Sequence, residues 1–184
     1  MNMKLGAVCL MIYVLFAAGI ATAQSKVKKP ATEPTAFFED GDLFKSSVPL
    51  PDNVLDALRA TAEAEEMKDE LKDLDREEFA RLFKAVVIHL GGPKEIDYVV
   101  LGESPMGGAD ATWFWIVRYD QSHPKVIFFT FANGFEILST RTNGYPNIHS
   151  AAFAGGVKYT NIYHYDGQRY ILAHKYQKEI DPYK

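Results

Sequence analysis

The spacing of apolar residues changes three times along this chain, and each change marks a different kind of element. Leu5 to Ile20 is an apolar run interrupted only by small residues. Lys4 precedes it, and Ala21-Thr22-Ala23 follows it with the small-x-small form of a signal-peptidase site. The run is shorter than the ~20 residues a membrane helix needs, and no stop-transfer flank follows. Residues 1–23 are therefore expected to be a cleaved export signal, with the protein periplasmic or secreted and not stably inserted in a membrane. Residues 24–36 hold Lys26, Lys28, Lys29, Pro30 and Pro34 with almost no apolar side chains, which predicts a disordered linker. Phe37-Phe38 and Leu43-Phe44 then bracket a polar turn and predict a short extended segment laid against a domain spanning 37–184.

From Pro51 the period becomes helical. Val54, Leu55, Leu58 and Ala62, continued by Met67, Leu71 and Leu74, form one stripe, with Asp52 as a plausible N-cap. Asp75 and Glu78 have capping-box spacing ahead of a second stripe: Phe79, Leu82, Phe83, Val86, Val87 and Leu90, closed by Gly91-Gly92-Pro93. Two amphipathic helices over about 52–90 are predicted. Nine acidic residues lie between Glu63 and Glu78, but the oxygen-ligand spacing and turn glycine of a calcium loop are missing, so a solvated helix face is expected.

After Pro93 the period becomes two. Strands are predicted at about 95–102, 111–120, 125–132, 134–141, 145–153, 157–166 and 169–176. Ser122-His123-Pro124, Asn133-Gly134, Asn143-Gly144, Gly155-Gly156 and Asp166-Gly167 punctuate them, and short loops imply antiparallel neighbours. Asp166-Gly167 reads as a type I′ turn facing Tyr165 to Tyr170. Trp113, Trp115, Val117 and Tyr119 alternate with Phe114 and Ile116, so this strand is apolar on both faces and needs cover on both, by the helices and by something else. The expected fold is one α+β domain: two N-terminal helices packed on an antiparallel β-meander over 95–176, with propeller-blade-like repeats. Its expected core includes Phe79, Phe83, Val87, Val99, Phe114, Ile116, Phe129 and Ile162.

Composition narrows the function classes. There are 20 Lys+Arg against 24 Asp+Glu, a net charge of −4 that loses one more positive charge with Lys4. An acidic chain lacks the basic face that nucleic acid requires. The single cysteine, Cys9, lies within the leader, so the exported part carries no disulfide, thiolate nucleophile or cysteine metal ligand.

The β region repeats a pattern. Asp97-Tyr98-Val99-Val100, Gly107-Gly108, Tyr119-Asp120 and Val126-Ile127-Phe128 correspond in order to Asn147-Ile148-His149-Ser150, Gly155-Gly156, Tyr165-Asp166 and Tyr170-Ile171-Leu172. At Thr142-Asn143-Gly144-Tyr145-Pro146-Asn147-Ile148 and Tyr163-His164-Tyr165-Asp166-Gly167-Gln168-Arg169-Tyr170 the chain resembles small exported bacterial proteins of unknown function that end in an NGYxDI strand and a YxxDGxxY hairpin. It is also distantly similar to one blade of the FG-GAP/VCBS propeller repeat. Asn143-Gly144 and Asn147 replace that repeat's acidic loop, so its calcium site is not carried over. The resemblance covers about 93–176 and implies a fold and a compartment.

The candidate chemistry is sparse. His149, His164 and His174 lie on successive predicted strands and would form a metal site only if register gathered them; His89 and His123 lie elsewhere. Ser104, in Gly102-Glu103-Ser104-Pro105-Met106-Gly107, nearly matches a hydrolase elbow, but Met106 stands where that turn needs glycine. No phosphate-cradling glycine pattern is present. Among ten Tyr and twelve Phe, Tyr145, Tyr163, Tyr165 and Tyr170 cluster at strand ends, where they either pack on half-buried sheet or line a partner-binding face. The expected function is an exported, non-catalytic module without cofactor or metal that binds a protein or an envelope component. The alternative is a small secreted hydrolase using Ser104 or a histidine-based metal site.

Overall fold

The structure, a computed structural model, describes residues 36–39, 42–107, 111–119 and 123–180. The export signal 1–23 and the linker over 24–35 lie outside the described residues.

The helical region is the largest departure from expectation. In place of two long helices there are four short ones: α1 (Asp52–Arg59), α2 (Ala62–Glu66), α3 (Lys68–Leu71) and α4 (Arg76–Ala80). The N-cap of α1 is Pro51, and Asp52 is its first helical residue. Thr61 interrupts the first stripe because its hydroxyl accepts from the Ala64 N–H at 3.2 Å, starting a new helix. The Asp75–Glu78 capping box forms as the spacing predicts, but α4 ends within two turns. Beyond it the second stripe is a strand, β2 (Phe83–Ile88), paired with β3 (Ile96–Gly102) from Phe83↔Gly102 to Ile88↔Asp97.

The reason is two-sided burial. Phe83 and Ala85 pack toward the helices, while Val86 and Ile88 pack toward the second sheet. Apolar residues at adjacent positions satisfy a helical stripe and a strand buried on both faces equally well. The β-branched run Val86-Val87-Ile88 favours the strand. Gly91-Gly92-Pro93 consequently forms a hairpin connection, with Gly92 at φ +130°.

The α+β reading therefore gives way to a mostly antiparallel β structure with a thin layer of short helices. One sheet has the order β2-β3-β4-β5, with β4 (Thr112–Tyr119) and β5 (Lys125–Ala132). The other has the order β1-β6-β7-β8-β9, with β1 (Ala36–Glu39), β6 (Gly134–Thr142), β7 (Tyr145–Ala154), β8 (Val157–Tyr165) and β9 (Tyr170–Glu179). The two corresponding stretches noted in the sequence are β3–β5 and β7–β9, which lie in different sheets.

Two cores result. Phe114, Ile116 and Val99 join Phe135, Ile137 and Ile148 between the sheets. Trp115, Val117 and Val100 join Val54, Leu58 and Phe79 beneath the helices. The second cover that β4 demands is thus the five-stranded sheet. Of the expected core, Phe79, Val99, Phe114 and Ile116 are buried, Phe83 and Phe129 are partly buried, and Val87 is 42% exposed. Ile162 is half-buried, on the sheet face opposite the core.

Asn133-Gly134 is not a hairpin. It carries the chain from one sheet to the other, Asn133 N–H donating to the Ala151 carbonyl at 3.0 Å. Asn143-Gly144 and Gly155-Gly156 are two-residue turns with φ of 52° and 83°, and 57° and 76°, which matches type I′. Asp166-Gly167 is different: the loop runs from Asp166 to Arg169 between the paired Tyr165 and Tyr170. Asp166 Oδ1 accepts from the N–H groups of Gln168 and Arg169 at 2.7 and 2.8 Å, so the side chain closes the turn and only Gly167, at φ +109°, needs positive φ.

Candidate functional site

The two sides of the β-sandwich are finished differently. On one side the chain covers its own edges. β1 pairs with β6, Phe38 stacks on Phe135 at 4.9 Å, and a 3-10 helix at Asp42–Ser46 brings Phe44 against Phe114. Val48 N–H then donates to the Ala85 carbonyl of β2 at 2.8 Å, and Ala85 N–H donates to Ser47 Oγ.

On the other side, β5 and β9 are both edge strands. Between them lies a cavity of about 400 Å³ walled by Val126, Phe129, Tyr170, Ile171 and Leu172, with Glu63 and Arg169 at its margin. Ile171 is 44% exposed and Leu172 53%, large apolar side chains that folding leaves in water.

A buried polar cluster braces the sheets beside this opening. Asp97 and Arg118 sit opposite each other on β3 and β4. Asp97 is fully buried; its Oδ1 accepts from Arg118 Nε at 3.3 Å and its Oδ2 from the Leu90 N–H at 3.0 Å. Arg118 reaches across to the second sheet, donating from Nη1 to the Tyr165 hydroxyl at 2.9 Å. Its guanidinium lies 4.5 Å from the Tyr145 ring centre, and Tyr145 donates its hydroxyl to Glu95 at 2.7 Å. Tyr170, which also walls the cavity, donates to the Pro146 carbonyl at 2.8 Å.

Burial is the main cause of the shifted acidities in this cluster. It raises Asp97 above the ordinary carboxylate range despite the Leu90 N–H and Arg118. It also pushes Tyr145 up to about 12, helped by the bond to Glu95, and raises Tyr170, helped by the Asp97 charge. The arrangement cross-links two sheets; it presents no exposed nucleophile.

Of the tyrosines singled out in sequence, Tyr165 and Tyr170 are buried between the sheets, and Tyr145 and Tyr163 are half-buried against that core. The structure does bring them together, around Arg118 and Phe128, with Tyr145–Tyr165 ring centres 4.2 Å apart and Tyr163–Phe128 5.0 Å apart. Their faces meet one another more than solvent.

The three strand histidines lie on the outer face of the five-stranded sheet. His164 and His174 have ring centres 6.0 Å apart, whereas His149 is drawn to Glu136 at 3.1 Å. Among the described residues no three His, Cys, Asp or Glu side chains are placed to hold a metal ion. Ser104 is exposed in a tight turn, and no hydrogen bond joins it to a histidine among the described residues. Sequence reasoning missed Asp97 and Arg118: each stands at one end of an apolar run, near other charges (Glu95 and Asp120), so neither was marked as part of a buried pair.

No helix among the described residues is long and apolar enough to cross a membrane. Comparison with protein-family models, curated proteins and solved structures finds no match for this chain.

Proposed function

We propose that this protein is an exported, non-catalytic binding module whose partner, a protein or another envelope component, docks along the open side between β5 and β9. The observation that carries this reading is the open cavity between two edge strands, where Ile171 and Leu172 lie exposed beside the polar groups of Glu63 and Arg169. Such an opening suits an extended segment, because unpaired edge N–H and C=O groups supply affinity while apolar pockets supply specificity. The chain's own residues at the opposite side act in this way, bonding β2 through Val48 and filling the core with Phe38 and Phe44. Export rests on the pattern of residues 1–23.

The test is site-specific photo-crosslinking in the envelope, with the reactive side chain at Leu172 and a control at Glu70 on α3. A discrete adduct from position 172 and none from position 70 supports the groove. Equal labelling at both positions, or none at either, removes its basis.

A further inference from the structure

Beyond the groove, the far half of β9 has no cover among the described residues. Past Tyr170 every residue of β9 except Ala173 is exposed, and none from 171 to 180 belongs to either core. Tyr176 is 51% exposed and Ile180 39%. A long exposed edge of this kind is a template for another strand unless charge forbids it.

The charges here do not forbid it; they select a register. Pairing with β8 places Lys175 (opposite Asn161), Gln177 (opposite Tyr159) and Glu179 (opposite Val157) on one face. Tyr176 and Lys178, opposite Thr160 and Lys158, lie on the other face. Lys178 therefore sits across from a like charge, and among the described residues neither it nor Glu179 is in an ion pair.

We propose that β9 pairs antiparallel with β9 of a second copy about a two-fold axis through Gln177, joining the two five-stranded sheets edge to edge. In that register Lys175 of each copy stands opposite Glu179 of the other, and Tyr176 opposite Lys178. Two ion pairs and two cation–ring contacts form at once, because an isologous contact repeats each interaction. It is the one register keeping each sheet face on its own side that sets a lysine opposite Glu179. Centring on Tyr176 instead sets His174 against Lys178. This surface is distinct from the groove, whose wall on β9 ends at Leu172.

The test is sedimentation velocity of the purified protein over a concentration series, with thermal melts of each variant as a folding control. A reversible dimer is expected. Glu179→Lys or Lys175→Glu turns two attractive contacts repulsive and should weaken association about tenfold or more. The double variant Lys175→Glu/Glu179→Lys restores the pairing and should recover wild-type association; melts taken at a concentration where every variant is monomeric should be unchanged, because both positions are exposed. A monomer at every concentration, a dimer indifferent to both single reversals, or a double variant as weak as the singles overturns the proposal.

Discussion

The two sides of this sandwich are built from the same materials and finished in opposite ways. At the β1/β2 side the chain supplies its own closing segment, and Phe38, Phe44 and Phe135 are each 3% exposed or less. At the β5/β9 side the apolar Leu172 and Ile171 are about half exposed. Hydrophobic content alone therefore does not decide which side is core. What decides is whether a segment of the same chain covers the edge: β1 and Val48 do so at the β1/β2 side, whereas among the described residues Ile171 and Leu172 of β9 stay exposed. The closed side buries its apolar residues; the open side leaves Ile171 and Leu172 exposed, the surface our proposal assigns to a partner.

The largest expected effect is on the closed side. Phe38→Ala removes a stacked, buried ring and should cost about 3–5 kcal/mol in urea denaturation. A loss below about 1 kcal/mol would mean that the closing segment is an accessory rather than part of the fold.

Next comes the brace between the sheets. Arg118→Ala leaves the Asp97 carboxyl buried without its cation and should destabilise by about 3 kcal/mol or more. Asp97→Asn in the same background should recover part of that loss, since a neutral amide has no charge to compensate. Absence of recovery would show that ring contacts, not charge, make Arg118 important.

Gly167→Val should cost about 1–3 kcal/mol through backbone strain alone, since φ is +109° and no atom lies within 4 Å of the added Cβ. A melt identical to wild type would contradict the loop geometry.

A pH series sharpens the contrast within the brace. Tyr145 has a folded-state acidity near 12, above its ordinary value of 10.0, so its contribution is fully present below pH 10 and is lost as pH rises from there toward 12. Tyr145→Phe should flatten that alkaline decline. Asp97, also raised, shifts the balance at the acid end: stability attributable to it is greatest below its ordinary value of 3.8 and falls as pH rises above that.

The smallest effect belongs to the open side. Leu172→Ala should change stability by no more than about 0.5 kcal/mol while reducing partner capture. A large stability loss there would make the two sides alike.

Much of this fold was legible, and the failures share one cause. The strands from β3 to β9 were readable to within a few residues because turns rich in Gly, Asn, Asp or Pro bound them. β2 was hidden because both its faces are covered, and burial on two faces erases the alternation that identifies a strand. The tyrosines suffered similarly: their position at strand ends was visible, but which sheet would close over Tyr165 and Tyr170 depends on the crossover at Asn133, which reads as a simple turn. The Asp97–Arg118 pair required the β3–β4 register, and the sequence shows only charges at the ends of two apolar runs. The open side was not legible at all, since it depends on β5 and β9 becoming edge strands of two different sheets, which only the tertiary pairing decides.

Within each sheet, β2 to β5 and β6 to β9 pair in chain order, so most strands meet a neighbour just made. β1 is the exception, for Ala36 lies opposite Ile137. A chain emerging N-terminus first releases this strand before any of its partners exists. Loop closure over that distance comes late and slowly. The strand that seals the sandwich is therefore the first to appear and among the last to settle, and until β6 arrives the aromatic interior stays open to other chains.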